Sequence, residues 1–221
     1  MLGLIGTIFS CINQPEVLHE TQTELVGIKA SETVMTVQQP LAVTTVDRLC
    51  SENFISAEAV GQMIRLTTLT EQETIYTIYD RIDEIAGLFE ACNDPWGMFP
   101  TTYRHITNRI IEAIENEEIE DQEWGKRIVV DFASRYMHNL QLALLGEEPS
   151  YAWNQYYYLA DHEEVSRTRA VVIAMVAHLT LDLPHSLVAI NTTEEHKNDY
   201  FVLGELMIEI TPDFIEDLKD Y

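Results

Sequence analysis

The residues best suited to chemistry stand together in "AHLTLDLPHSL", residues 177–187. His178 and Asp182 interrupt the most apolar run of the chain, and Pro184 and His185 follow at once. On a helix, positions four apart lie on one face, one turn from each other, so this imidazole and carboxylate could act jointly. Three readings are open. The pair supplies ligands to zinc, iron or manganese, all of which accept imidazole and carboxylate, and the metal activates water or dioxygen. Alternatively, Asp182 orients His178 as a general base with no metal. Or both are structural: Asp182 caps a new helix with Pro184 in its first turn, and His178 is a buried neutral imidazole bonded to a backbone carbonyl.

A metal site takes three or four ligands, usually from more than one element. His185 extends the face if the helix runs on, and His138 sits on a neighbouring helix, so the candidate metal set is His178, Asp182, His185 and His138. His105 and Glu205 are weaker candidates, and His162 lies in an acidic, solvent-facing run. No HExxH is present, and the Glu-x-x-His step at Glu16–His19 falls in the irregular N-terminal stretch, so neither the zinc-protease nor the di-iron bundle pattern is met. Trp153, Tyr156 and Tyr157 stand at i, i+3 and i+4, the spacing of a core face. The same aromatic residues could wall a small-molecule pocket, which makes Tyr136, Trp153 and Tyr157 the candidate substrate-binding residues. No Gly-rich phosphate loop, GxSxG or Cys–His nucleophile pattern stands out.

The elements that must position these residues are helical from Ser56 onward. "SAEAVGQMIRLTTL" reads as a short helix. Thr70 and Glu73 have capping-box spacing, ahead of an apolar face of Ile75, Ile78, Ile82, Ile85 and Phe89, and "NDPWG" ends that helix. "TTYRHITNRIIEAIENEE" buries Tyr103, Ile106, Ile110 and Ile114. A long helix follows from the cap Asp121 to the stop Gly146, with the stripe Trp124, Ile128, Phe132, Tyr136 and Leu140. "SYAWNQYYYLADHEE" is a shorter aromatic helix. From Ala170 to Leu181 the chain is apolar on all sides apart from His178 and Thr180, as in a central helix surrounded by others. That helix is expected to break at Asp182-Leu183-Pro184. Thr211-Pro212 opens the last helix. Residues 12–50 lack a helical period and read as an extended arm, with short strands around "ETVMTV" or "LAVTTV". The expected organisation is an all-α bundle around a central helix at about 166–182, with an irregular or extended arm over 1–50 and a helical domain over 51–221.

Composition narrows the partners. Of 221 residues, 46% are hydrophobic, enough for one substantial core. Asp and Glu number 37 against 13 Lys and Arg, for a net charge of −24. This balance argues against nucleic acid and an anionic membrane surface as partners, and most of the charge is expected to be a solvated helical surface. No run approaches the roughly 20 apolar residues of a membrane span. Cys11, Cys50 and Cys92 are odd in number and widely spaced, so no disulfide framework is implied and a reduced, cytoplasmic compartment is expected. "MLGLIGTIFSC" loosely resembles a lipoprotein cleavage box at Cys11, which keeps export as the alternative. The first basic residue is Lys29, however, so an apolar arm packed on the protein or joining two copies in a homo-oligomer is preferred.

Residues 101–201 resemble the bacterial family catalogued as domain of unknown function 5995. The likeness is carried by Tyr103 and Thr107 in "YRHIT", by Trp124, Phe132, Ala133 and Tyr136 around "DFASRY", and by Trp153 in "AWNQ". Above all it is carried by "MVAHLTLDLPHSLV", where Ala177, His178, Asp182, Leu183, Pro184 and Leu187 match an Ala-His-x-x-x-Asp-Leu-Pro signature. Val176 stands where the family usually has Asn. The resemblance implies a helical fold, singles out His178 and Asp182, and names no reaction. A more distant analogy joins the His178–Asp182 step to helical zinc phospholipases C and S1-type nucleases. Their later His-x-x-x-Glu pair is missing here, because Tyr200 stands four residues after His196.

Two functions follow as expectations. The first is an enzyme, a metal-dependent hydrolase or oxygenase acting on a small molecule, with His178 and Asp182 as catalytic residues. The second is a non-catalytic helical binding or assembly module in which His178 and Asp182 are structural.

Overall fold

A computed structural model describes residues 50–51, 54–162 and 164–218, all within the unit Leu41–Tyr221. The extended arm, its proposed strands and Cys11 lie outside the described residues. Cys50–Ser51 (β1) and Phe54–Ile55 (β2) pair antiparallel, and everything after them is helical.

Helix α1 (Ala57–Thr67) starts at Ser56, whose hydroxyl accepts the Ala59 N–H. Helix α2 (Ile75–Ala91) starts one turn later than the Thr70–Glu73 spacing predicts. Glu73 Oε1 does accept the Thr70 N–H at 3.0 Å, but Arg81 also holds that carboxylate at 2.9 Å, and Thr74 with Thr77 forms the true capping box. The expected face of Ile75, Ile78, Ile82, Ile85 and Phe89 is buried throughout. Asp94 caps a 3₁₀ turn at Pro95–Gly97, which leads into α3 (Met98–Glu115). Helix α4 (Gln122–Leu144) is capped by Asp121 and closes near Gly146, at φ +70°, where glycine avoids the left-handed penalty. Helix α5 (Tyr151–Ala160) carries the aromatic cluster.

Helix α6 (Arg167–Ala177) does not break where the proline predicts. It continues as a π-helical turn, His178–Asp182, and then as α7 (Leu183–Ala189). The Leu183 N–H reaches the His178 carbonyl five residues back. Pro184 has no N–H to lose from a ladder and needs room for its ring near the preceding turn, and the wider turn provides it. A 3₁₀ turn (Glu194–His196), α8 (Lys197–Glu209) and α9 (Thr211–Asp217) complete the described chain.

The bundle forms around the pair α2–α3, with α1 and α2 against α4, and α6 against both α3 and α5. The buried stripe of the long helix is Ala170, Val171, Ala174, Ala177, His178, Asp182 and Ser186. Its small residues let neighbouring backbones come close, and its polar ones are all in or beyond the π turn. Bulkier apolar residues lie outward, with Leu181 42% and Val188 78% exposed. Because the helix runs on through the π turn, Arg167–Ala189 is long and apolar enough to cross a membrane, contrary to the reading from apolar runs alone, although its buried stripe lies in the core.

Cys50 and Cys92 form a disulfide, against the expectation from their spacing. The fold brings β1 to the C-terminal end of α2, a juxtaposition that a sequence separation of 42 conceals. A second link runs parallel to it: the Asp94 carboxylate accepts the Ile55 N–H at 3.1 Å.

Candidate functional site

His178 and Asp182 meet as their spacing predicts, with Nδ1 of the imidazole 2.9 Å from Oδ2 of the carboxylate. They are 2% and 7% exposed. The same Oδ2 accepts the indole N–H of Trp153, on α5, at 2.9 Å. An oxygen that already accepts one N–H is best matched by a second donor, which places the ring proton of His178 on Nδ1. Asp182 therefore does not cap α7; its side chain makes no bond to the helix N-terminus.

The other nitrogen is left over. His178 Nε2 is buried without a hydrogen-bond partner, and so is the Tyr157 hydroxyl. With Nδ1 protonated, Nε2 presents a lone pair. Burial holds the imidazole pKa below its ordinary value, even though Asp182 pulls it upward. The Tyr103 and Tyr157 phenols are driven upward, chiefly by burial and further by the Asp182 charge, so both stay neutral.

Aromatic rings enclose the imidazole. Phe132 lies flat on it, with centroids 3.5 Å apart and planes 6° from parallel. Tyr103 (4.8 Å), Phe99 (5.4 Å), Trp153 (5.8 Å) and Tyr136 (6.5 Å) stand edge-on. Tyr157 is one layer out, stacked on Trp153 at 6.2 Å. All three candidate substrate-binding residues, Tyr136, Trp153 and Tyr157, thus fall in or beside this shell.

The candidate metal set does not assemble. His138 and His185 are exposed, whereas His178 and Asp182 are buried. Among the described residues no three His, Cys, Asp or Glu side chains converge as a metal site requires. Nδ1 and Oδ2 face each other, which leaves Nε2 as the free imidazole donor atom. His105 instead pairs with Asp217 at 2.7 Å, and His162 bonds the Tyr158 carbonyl at 2.6 Å.

A family model described as "Family of unknown function (DUF5995)" matches residues 75–221, well over half of the chain. The chain belongs to the DUF5995 family. The match reaches further than the likeness seen in residues 101–201: it takes in α2, which packs on α3, and the C-terminal helices. No curated protein and no solved structure matches this DUF5995 chain.

The spacing that marks Trp153 as a pocket wall does not disclose its hydrogen bond to Asp182. Phe132 reads as part of a core stripe, not as the ring over His178, and no motif singles out Phe99. The signals were present: Phe99 and Tyr103 stand at i and i+4, as do Phe132 and Tyr136. What the sequence lacked was the packing of α3, α4 and α5 that brings these pairs to one imidazole.

Proposed function

We propose that this chain is an enzyme acting on a small molecule, with His178 as a metal-free general base that Asp182 and Trp153 hold in place. The observation that carries this reading is the buried, unpartnered Nε2 of an imidazole whose other nitrogen is fixed by a carboxylate. A carboxylate on Nδ1–H fixes the tautomer and stabilises the cation formed when Nε2 takes a proton, as a base requires. A π turn at the same residues is a second support, since such turns are frequent at functional sites. A metal-dependent hydrolase or oxygenase draws less support, because His138 and His185 are exposed and far less buried than the pair they were expected to join.

The elimination of 5-nitrobenzisoxazole tests the reading without a known substrate. A base removes the C3 proton, the N–O bond breaks, and a coloured phenolate is released. Wild-type protein should accelerate the reaction, and His178→Gln should lose about 100-fold of that rate while keeping its helical circular dichroism. Equal rates in the two proteins would reject the base.

The close stacking of Phe132 favours a second reading, a binding or assembly module in which the pair only tethers α5 to the π turn. In that case His178→Gln alters stability and no chemistry. The Cys50–Cys92 bond supports an oxidising compartment, and so the export expectation over the cytoplasmic one.

A further inference from the structure

A base sealed among rings is useful only if one of them moves. Four of the five rings around His178 are themselves buried: Phe99 and Trp153 at 0%, Tyr136 at 1% and Tyr103 at 3% exposure. Phe132 is the exception, half-buried and flat against the imidazole. Its removal uncovers a ring face, whereas removal of any other would open a gap deeper in the core. The rim beside it is fixed. Arg135, one turn along α4 from Phe132, donates through Nε to Asp131 Oδ1 at 2.9 Å and to Ser186 Oγ at 2.8 Å. The first bond lies within α4 and the second joins α4 to α7, so the Phe132 side chain can swing while its helix stays in place.

We infer that Phe132 is the displaceable cover of a ligand site at His178, and that the site takes a compact neutral molecule, about one aromatic ring in size, bearing an O–H or N–H. The ligand body occupies the volume that the Phe132 ring leaves against the imidazole, and its donor reaches over the ring edge to the unpartnered Nε2. The size follows from the ring displaced. The donor follows from Nε2 being an acceptor while Nδ1 is bound to Asp182. Neutrality follows from the surroundings: a charge among these rings would be desolvated without a counter-charge, Arg135 is already engaged by Asp131 and Ser186, and a chain of net charge −24 repels anions. This inference rests on the base reading above and adds to it the entrance and the ligand class.

Two measurements test it. Diethyl pyrocarbonate modification, read by peptide mass, reports access to His178 Nε2. Phe132→Leu and Phe132→Ala should raise the His178 rate about tenfold, whereas Phe99→Leu, on a fully buried side of the shell, should not. Equal acceleration by Phe99→Leu, or none by the Phe132 variants, would overturn the entrance. Phenol and toluene, titrated into Phe132→Ala by calorimetry, test the ligand class. Phenol should bind about fivefold more tightly, the worth of one hydrogen bond, and the preference should vanish when His178→Phe is added. Equal affinity for the two rings in Phe132→Ala would overturn the donor requirement. The elimination assay separates the two proposals. If the Phe132 variants leave the rate unchanged while His178→Gln abolishes it, the entrance is wrong and the base stands. If His178→Gln also leaves the rate unchanged, both fail.

Discussion

His178 keeps one nitrogen bound and one buried without a partner, and a group left that way costs a fold about 1–3 kcal/mol. In the base reading proposed above, that lone pair is the atom that takes the proton. The same burial makes the residue pH-sensitive. Its folded pKa lies below the ordinary 6.5, so below about that pH the unfolded chain takes up a proton that the folded chain refuses. The neutral imidazole therefore contributes its full stability above pH 6.5 and loses it as pH falls toward the lowered folded value. The stability difference between wild type and His178→Gln, from urea titrations across pH 4–8, should shift against wild type as pH falls below 6.5. A pH-independent difference would show that the imidazole is not held neutral.

At the scale of elements, the helices were legible because their apolar stripes recur at helical spacing and their caps are local. Ser56, Asp121 and Ser166 each cap the helix that follows by accepting an N–H three residues on. Two features were not legible. The π turn arises where Pro184 would otherwise end the helix, and a proline signal cannot say whether a helix stops or widens. The disulfide depends on the return of β1 to the end of α2, a contact 42 residues apart in sequence. It anchors the segment that leads through Asp94 and Trp96 to Phe99, and Trp96 packs on Tyr157 at 4.6 Å. Cys50→Ser should cost about 2–4 kcal/mol in oxidised protein, and reduction of wild type should cost the same. An unchanged melting temperature on reduction would show that the pair does not close in solution.

At the scale of the molecule, the sequence carries 37 acidic side chains against 13 basic ones, a net charge of −24. Several of those cations are already shared: Arg104 holds Glu90 and Asp217, and Arg109 holds Glu118 and Glu209. The remaining carboxylates repel one another across the helical surface. Screening should therefore stabilise the fold, and the melting temperature should rise between 20 and 500 mM sodium chloride, over which the Debye length falls from about 20 Å to about 4 Å. A fall would mean that the surface ion pairs outweigh the repulsion. The charge also bears on the site, because a strongly negative field discourages anions from a buried imidazole that sits beside Asp182.

If His178 is a neutral base, its titration must appear in the pH–rate profile of the benzisoxazole elimination. The rate should be flat above pH 6.5, fall only below it as the imidazole of lowered pKa is protonated, and be lost with its inflection in His178→Gln. A profile that is the same in wild type and His178→Gln would contradict it.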